Sequence, residues 1–483
     1  MRIALSVAIV GVTVACRVQP HAADTTAAPP SSAYAAVGSV HGTRPLDVAQ
    51  VDSMIRATVA DKHLVGLSVG VAQDGKVVLA KGYGLKTLGS HDSVSAETMF
   101  AIGSVTKQFT CSAVLLLAQD GKLTLQDPVA KYFPKLTRAA DITLLDLGNH
   151  VSGYRDFYPL DFVDREMQKP ATADAIIDEY ATRPLDFDPG TRWSYSNTNF
   201  LILGRAVEQA GGQPFGAFLA QRIFTPVGMT HTQFDPAEHT PAMATGYTTF
   251  ALGSPFPAEP EGRGWAGSAG AIWSTPSDIV AWDMALIGGK VLSDDSYRTL
   301  TTPRHLKDGR STGYGCGDGI VEGGPAVVFR HGGAVSGFVA ENIVVPATRS
   351  AIVMMANTDF ASLDSLQQSI LAKLVPHIDV PTINGPSARD AAQAFLVSLQ
   401  HGQVDRKTLG EDYAAFLTQP LVASAQKSLS ALGPISDVSV LRTAERGGME
   451  VAEIRFKTGK QSAGALMYRT PDGKIQEVLF QRE

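Results

Sequence analysis

Strand signals stand at both ends of one long stretch of this 483-residue chain, with helical signals between them. That order constrains the fold more than any other feature. At the near end Val51, Met54, Ile55 and Val59 recur at helical spacing and predict an amphipathic helix. Gly66–Gln73 and Lys76–Tyr83 then flank Asp74-Gly75, a pair whose ease with positive φ makes it a hairpin signature. At the far end the apolar run Ala326–Phe329 leads through Arg330 and His331 into a Gly-rich turn. Phe338–Val345 and Ala351–Ala356 form a second hairpin around Pro346, and Leu363, Leu366, Ile370 and Leu374 mark one helix face. From about residue 100 to 300 the chain reads as helices broken by Pro and Gly loops. This is an α+β pattern over residues 46–376: an antiparallel sheet flanked by helices, with an inserted helical lobe.

The remaining segments differ in composition. Met1 and Arg2 precede a small, apolar run from Ile3 to Val14, too short to span a bilayer and suited to a secretory signal peptide within residues 1–22. Thr13-Val14-Ala15-Cys16 resembles a bacterial lipobox, with Thr13 where Leu is usual. Lipidation of Cys16, which would anchor the chain to a membrane, and plain cleavage both stay open. Residues 23–45 are rich in Ala, Pro, Ser, Thr and Gly and predict a flexible linker. Residues 377–386 are rich in breakers and predict a second linker. Beyond it, residues 387–483 predict a small α+β domain. Ala392, Phe395, Leu396 and Leu399 share a helix face, a helical stretch runs from about Tyr413 to Leu432, and Ala452, Ile454 and Phe456 alternate with charged residues. Its order of helices and then a curved sheet looks like the cone-shaped fold of the nuclear transport factor family.

Charge excludes one class of function. Lys plus Arg is 41 against 47 for Asp plus Glu, so the chain lacks the basic footprint of a nucleic-acid binder. Three cysteines make no disulfide framework, and Cys111 and Cys316 are expected to stay unpaired. No spacing predicts a metal, and no cofactor motif is found.

Three short motifs carry chemistry. In Gly103-Ser104-Val105-Thr106-Lys107 the serine stands before the apolar run Val114–Leu117, so it falls at a helix start with Lys107 about one turn on. A desolvated Lys can activate a serine hydroxyl, and a helix amino terminus favours developing negative charge. Alone, the same spacing also describes an N-cap serine and a surface lysine. In Tyr195-Ser196-Asn197 the phenol and the amide straddle one residue, and an extended turn would point both the same way. In Arg330-His331-Gly332-Gly333-Ala334 two glycines let a substrate approach backbone N–H groups.

With the three motifs in this order, the sequence resembles the penicillin-recognising serine hydrolases, in particular the class C β-lactamase-like branch, over about Asp47 to Leu374. That branch includes D-aminopeptidases, D-Ala-D-Ala carboxypeptidases, esterases and β-lactamases. The resemblance implies a β-lactamase/transpeptidase-like fold. It implies Ser104 as nucleophile, with Lys107 and Tyr195 sharing base and acid work. Asn197, His331 and Gly333 would bind substrate, and the N–H groups of Ser104 and Ala334 would form the oxyanion hole. The expected partner is a small ester or D-amino-acid peptide, acted on in the bacterial periplasm or envelope. A weak β-lactamase and an inactive cell-wall-peptide binder are the alternatives, and the sequence does not address oligomeric state.

Two departures stand out. Where many relatives have Lys-Thr-Gly this chain has His331-Gly332-Gly333, so the cation and hydroxyl that would meet a substrate carboxylate are absent, leaving Arg330 and Arg310 as replacement cations. Leu147-Gly148-Asn149 stands where Leu-Leu-Thr is usual. Gly66-Leu67-Ser68-Val69-Gly70 matches a nucleophile elbow, but strand character continues past it where an elbow needs a sharp turn into a helix, so Ser68 reads as a strand residue.

Overall fold

The computed structural model describes residues 40–41 and 44–482, except 161, 252, 323–325, 361, 376, 379 and 460. The signal peptide, Cys16 and nearly all of the first linker lie outside the described residues. The chain divides into two compact units, with the break in sequence between His377 and Ile378.

In the first unit Asp47 accepts the Gln50 N–H at 2.9 Å and so caps helix α1 (Val48–Asp61). Strands β1 (Gly66–Gln73) and β2 (Lys76–Gly84) turn at Asp74 and Gly75, whose φ values of 53° and 78° suit the hairpin. The inserted lobe supplies helices α2 (Thr106–Gln119), α3 (Asn197–Gly211) and α4 (Pro276–Ile287). The chain returns as β3 (Gly319–Val321), β4 (Val328–Val335), β5 (Phe338–Val345) and β6 (Ser350–Ala356), followed by α5 (Asp364–Leu374). All six strands form one antiparallel sheet in the order β2-β1-β6-β5-β4-β3, and Val71 opposite Ile352 joins the two ends of the unit.

β1 and β6 are buried along their whole length because both faces are covered. Ile352, Met354 and Ala356 pack with Val51 and Ile55 of α1 and Leu366 and Ile370 of α5. Ala351, Val353 and Met355 point the other way, into the core shared with the helical lobe. Alternation along a strand thus divides the apolar side chains between two cores.

Two expectations are corrected here. The glycines after His331 are not a turn: β4 runs through them to Val335, with Gly332 opposite Glu341 and Gly333 opposite Ala340. The strand lies so close to the Ile102–Ser104 segment that a Cβ on residue 333 would stand 1.9 Å from the Ile102 carbonyl oxygen, so Gly is required for contact rather than for turning. Cys111 and Cys316 are not unpaired: they form a disulfide across 205 residues, with Cα atoms 5.7 Å apart. The fold brings the loop before β3 against α2, and Gly148 leaves room for the sulfurs. A Cβ there would lie 2.5 Å from Cys316 Sγ and 3.1 Å from Cys111 Sγ.

In the second unit α6 (Ala388–Gln400) and α7 (Gln419–Leu432) pack on a four-stranded antiparallel meander of β7 (Ile435–Arg446), β8 (Met449–Thr458), β9 (Gln461–Arg469) and β10 (Ile475–Arg482). Ala452, Ile454 and Phe456 face its core. The helical stretch expected from Tyr413 to Leu432 is two helices, Glu411–Phe416 and α7, separated at Leu417-Thr418 before Pro420.

Candidate active site

Ser104 lies in a 3-10 turn, Gly103–Val105, that runs into α2. Lys107, on the first turn of α2, is fully buried, and its Nζ is 2.9 Å from Ser104 Oγ. The same Nζ donates to Asn197 Oδ1 at 2.8 Å and to the Ala269 carbonyl at 2.9 Å. Burial lowers its pKa from 10.5 to about 7, against the attraction of the Asp156 carboxylate. A neutral amine has two N–H donors and one lone pair. With Asn197 and Ala269 taking the donors, the lone pair is left for the Ser104 hydroxyl.

Asn197 opens helix α3, after an extended Ser196, so the expected extended turn is a strand-like residue followed by a helix start. The Asn197 side chain is fixed from below. Its Nδ2 donates to Asp156 Oδ1 at 3.1 Å and its backbone N–H donates to the same oxygen at 2.9 Å. Since a carboxylate only accepts, this contact orients the amide with its oxygen toward Lys107. Asp156 and the Ala269 carbonyl were not found from the sequence. Each is far along the chain from the group it holds, and neither belongs to a short pattern.

Tyr195 lies against Ser104 with its ring under Lys107, whose Nζ is 4.8 Å from the ring centroid. Burial pushes its phenol well above the ordinary value, and the hydrogen bond with Ser104 opposes this only in part. Tyr195 is therefore a proton donor at neutral pH, while Lys107 is poised to accept. Behind Tyr195 the buried His150 ring stacks 4.3 Å away, centroid to centroid, and its Nδ1 accepts the Ser196 N–H at 3.1 Å.

His331, expected to contact substrate, is buried with both ring nitrogens in hydrogen bonds. Its Nδ1 is 2.6 Å from the Gly332 carbonyl, which can only accept, so the proton sits there. Its Nε2 then accepts from the Tyr314 hydroxyl at 2.8 Å. Both ring nitrogens are used, and burial together with the nearby Lys107 lowers its pKa to about 3. His331 is a neutral support beneath the site.

The site opens into a cavity of about 900 Å³. Ser104, Tyr195, Asn197, Gly333 and Ala334 all line it, and the Gly333 contact brings β4 to the Ser104 backbone. Among the described lining residues Asp156, Glu259, Glu341 and Asp359 bear carboxylates, and none is Lys or Arg. Exposed Leu160, Phe162 and Phe256 give the cavity an apolar rim. Arg310 pairs with Asp308 and does not line the cavity, whereas Arg330 lines a neighbouring recess with Glu341 and Asp364. Ser68 sits within β1 with its hydroxyl on the Ser95 carbonyl, as a strand residue should.

Residues 51–375 match the family model described as Beta-lactamase. The D-aminopeptidase of Gluconobacter oxydans is 30% identical over 353 residues, covering 70% of this chain and 65% of the relative. A D-aminopeptidase of Brucella anthropi is 31% identical over 322 residues, covering 66% and 61%. This chain thus spans less than two thirds of the length of either relative. Among solved structures, D-amino acid amidase from Ochrobactrum anthropi complexed with D-phenylalanine superposes with a TM-score of 0.59 at 24% identity, covering 67% of this chain and 98% of that one. A penicillin-binding protein from Bacillus halodurans gives 0.60 at 22% identity, covering 66% and 98%.

Proposed function

This chain belongs to the beta-lactamase family, and we propose that it is a serine hydrolase that cleaves amides or short peptides of D-amino acids bearing a free amine. The observation that carries this reading is the sign of the cavity. Among the described residues its lining bears four carboxylates and no Lys or Arg, so it attracts an ammonium group and repels a carboxylate. The names of the D-aminopeptidase relatives support the same substrate class. Carboxylate-bearing β-lactams and the free carboxyl ends of peptides fit this cavity poorly. Small esters, which carry no carboxylate, remain substrates of the same chemistry.

In this mechanism neutral Lys107 takes the Ser104 proton as Oγ attacks the carbonyl carbon. The oxyanion lies between the N–H groups of Ser104 and Ala334. Tyr195 passes a proton to the leaving amine and is reprotonated by the Lys107 ammonium, which returns to its neutral form, while the amine departs and leaves an ester on Ser104. Water, activated by the same groups, then releases the D-amino acid. Asn197 holds Lys107, and Asp156 holds Asn197. Export to the bacterial envelope belongs to the same reading. The basic start and apolar run support it, as does a disulfide, a bond favoured in oxidising compartments.

The test compares kcat/KM for D-phenylalanine p-nitroanilide, its N-acetyl and L forms, p-nitrophenyl acetate and nitrocefin. The free D-amine is expected to exceed its acetylated form by at least about tenfold, equivalent to about 1.4 kcal/mol. Faster turnover of nitrocefin or of the acetylated anilide would overturn the substrate assignment.

A further inference from the structure

We propose that the Cys111–Cys316 disulfide is a positioning element of the catalytic base, holding three separate segments closed beneath Lys107. The inference rests on Lys107 acting as that base.

Cys111 lies one helical turn beyond Lys107 on α2, and both sulfur-bearing residues are buried. Its partner belongs to the loop of residues 314–318, which touches the base layer on both sides of Cys316. Before it, Tyr314 donates to His331 Nε2, and its ring lies 5.0 Å from His150 and 5.7 Å from Trp193. After it, Gly317 rests on the Lys107 backbone, where a Cβ would come within 2.7 Å of the Lys107 carbonyl oxygen. The third segment is Gly148, pressed against both sulfurs, with its carbonyl accepting the Gly317 N–H at 3.3 Å. Two residues on is His150, stacked on Tyr195. The sulfurs therefore stand where the segments bearing Lys107, His150 and Tyr314 converge. The small residue that sets Leu147-Gly148-Asn149 apart from the usual Leu-Leu-Thr is what admits them.

The loop has a reason to leave if released. It buries Asp318 so fully that the carboxyl is pushed well above its ordinary pKa, a cost that solvent would relieve. Movement of the loop would let water reach Lys107, whose low pKa comes from burial. The titratable groups facing Lys107 are Asp156 from the loop that follows His150, Tyr195 ahead of α3, His150 itself, and His331 on β4. None of them is substituted in the disulfide-free variants, so a shift in base strength would report the opening of the layer around Lys107 rather than the loss of a titrating group.

The experiment records kcat/KM against pH for the full chain as wild type, as the Cys111→Ala/Cys316→Ala variant, and as Cys111→Val/Cys316→Ala, which restores part of the lost volume. Circular dichroism checks the fold of each. Wild type treated with tris(2-carboxyethyl)phosphine, with thiols counted, serves where a variant does not fold. The acid limb, near pH 7 in wild type, is expected to move up by at least about one unit without the disulfide, a tenfold loss below the limb for each unit. A folded, disulfide-free enzyme with an unmoved limb overturns the proposal while leaving the base assignment intact. A wild type without a limb near pH 7 overturns both.

Discussion

Asp156 gives a clean perturbation of the site, because Asp156→Asn removes a charge and keeps the shape. The new amide oxygen still accepts from Asn197 Nδ2 and from its backbone N–H, so the Asn197 side chain keeps its orientation. What Lys107 loses is a negative charge that favours its protonated form. The carboxylate and Nζ are bridged by the Asn197 amide, through contacts of 3.1 and 2.8 Å, which puts the charges on the order of 7 Å apart. At effective dielectrics from about 20 to 80, Coulomb's law gives about 0.6–2.4 kcal/mol, or about 0.4–1.7 pH units. The sign follows from the chemistry: without the carboxylate the ammonium is less favoured, the Lys107 pKa falls, and the neutral base persists to lower pH. The acid limb of kcat/KM, expected near pH 7 in wild type, should move down by that amount while the plateau at higher pH stays within a few fold. Stopped-flow or steady-state rates on a p-nitroanilide between pH 4.5 and 9 would show it. A limb that moves upward, or stays fixed while the enzyme remains folded, would refute Lys107 as the titrating base.

Gly333→Ala should lower kcat by about 10²–10³-fold, the cost of losing one oxyanion donor, because its Cβ would drive Ile102 and Ser104 away from β4; near wild-type turnover on the anilide would count against the close contact. Glu341→Gln should weaken binding of a free-amine substrate, seen as a rise in KM of several fold, and leave p-nitrophenyl acetate unaffected. Truncation after Asn384 should leave kcat on a small ester within about twofold, since Ser104, Lys107, Tyr195 and Asn197 all belong to the first unit; a collapse in a truncation that is still folded would show that the second unit shapes the site.

Local physics explains which parts could be read from the sequence. Asp74-Gly75 and the periodicity of α1 and α5 announce themselves because turn chemistry and amphipathic spacing are written within a few residues. Ser104 and Lys107 were found for the same reason, three residues apart on one helical turn. The Gly332-Gly333 pair was misread because glycine's local preference is for turns, whereas here the requirement comes from Ile102, more than 200 residues away in sequence. Distance along the chain hid Asp156 as well, and it hid the pairing of Cys111 with Cys316 and the meaning of Gly148. The surroundings of His331 were hidden in the same way. The hydrogen bond that occupies its Nε2 comes from Tyr314, on a separate loop outside the motif.

The most direct measurement is the mass of the protein caught in mid-reaction. A slow D-phenylalanine ester, quenched in acid within the first turnovers, should add one phenylalanyl group to the wild-type chain, and peptide mapping should place it on Ser104. Ser104→Ala should take up nothing while keeping its circular dichroism. An adduct on Ser68, or steady turnover by Ser104→Ala, would contradict the assignment of Ser104 as the nucleophile.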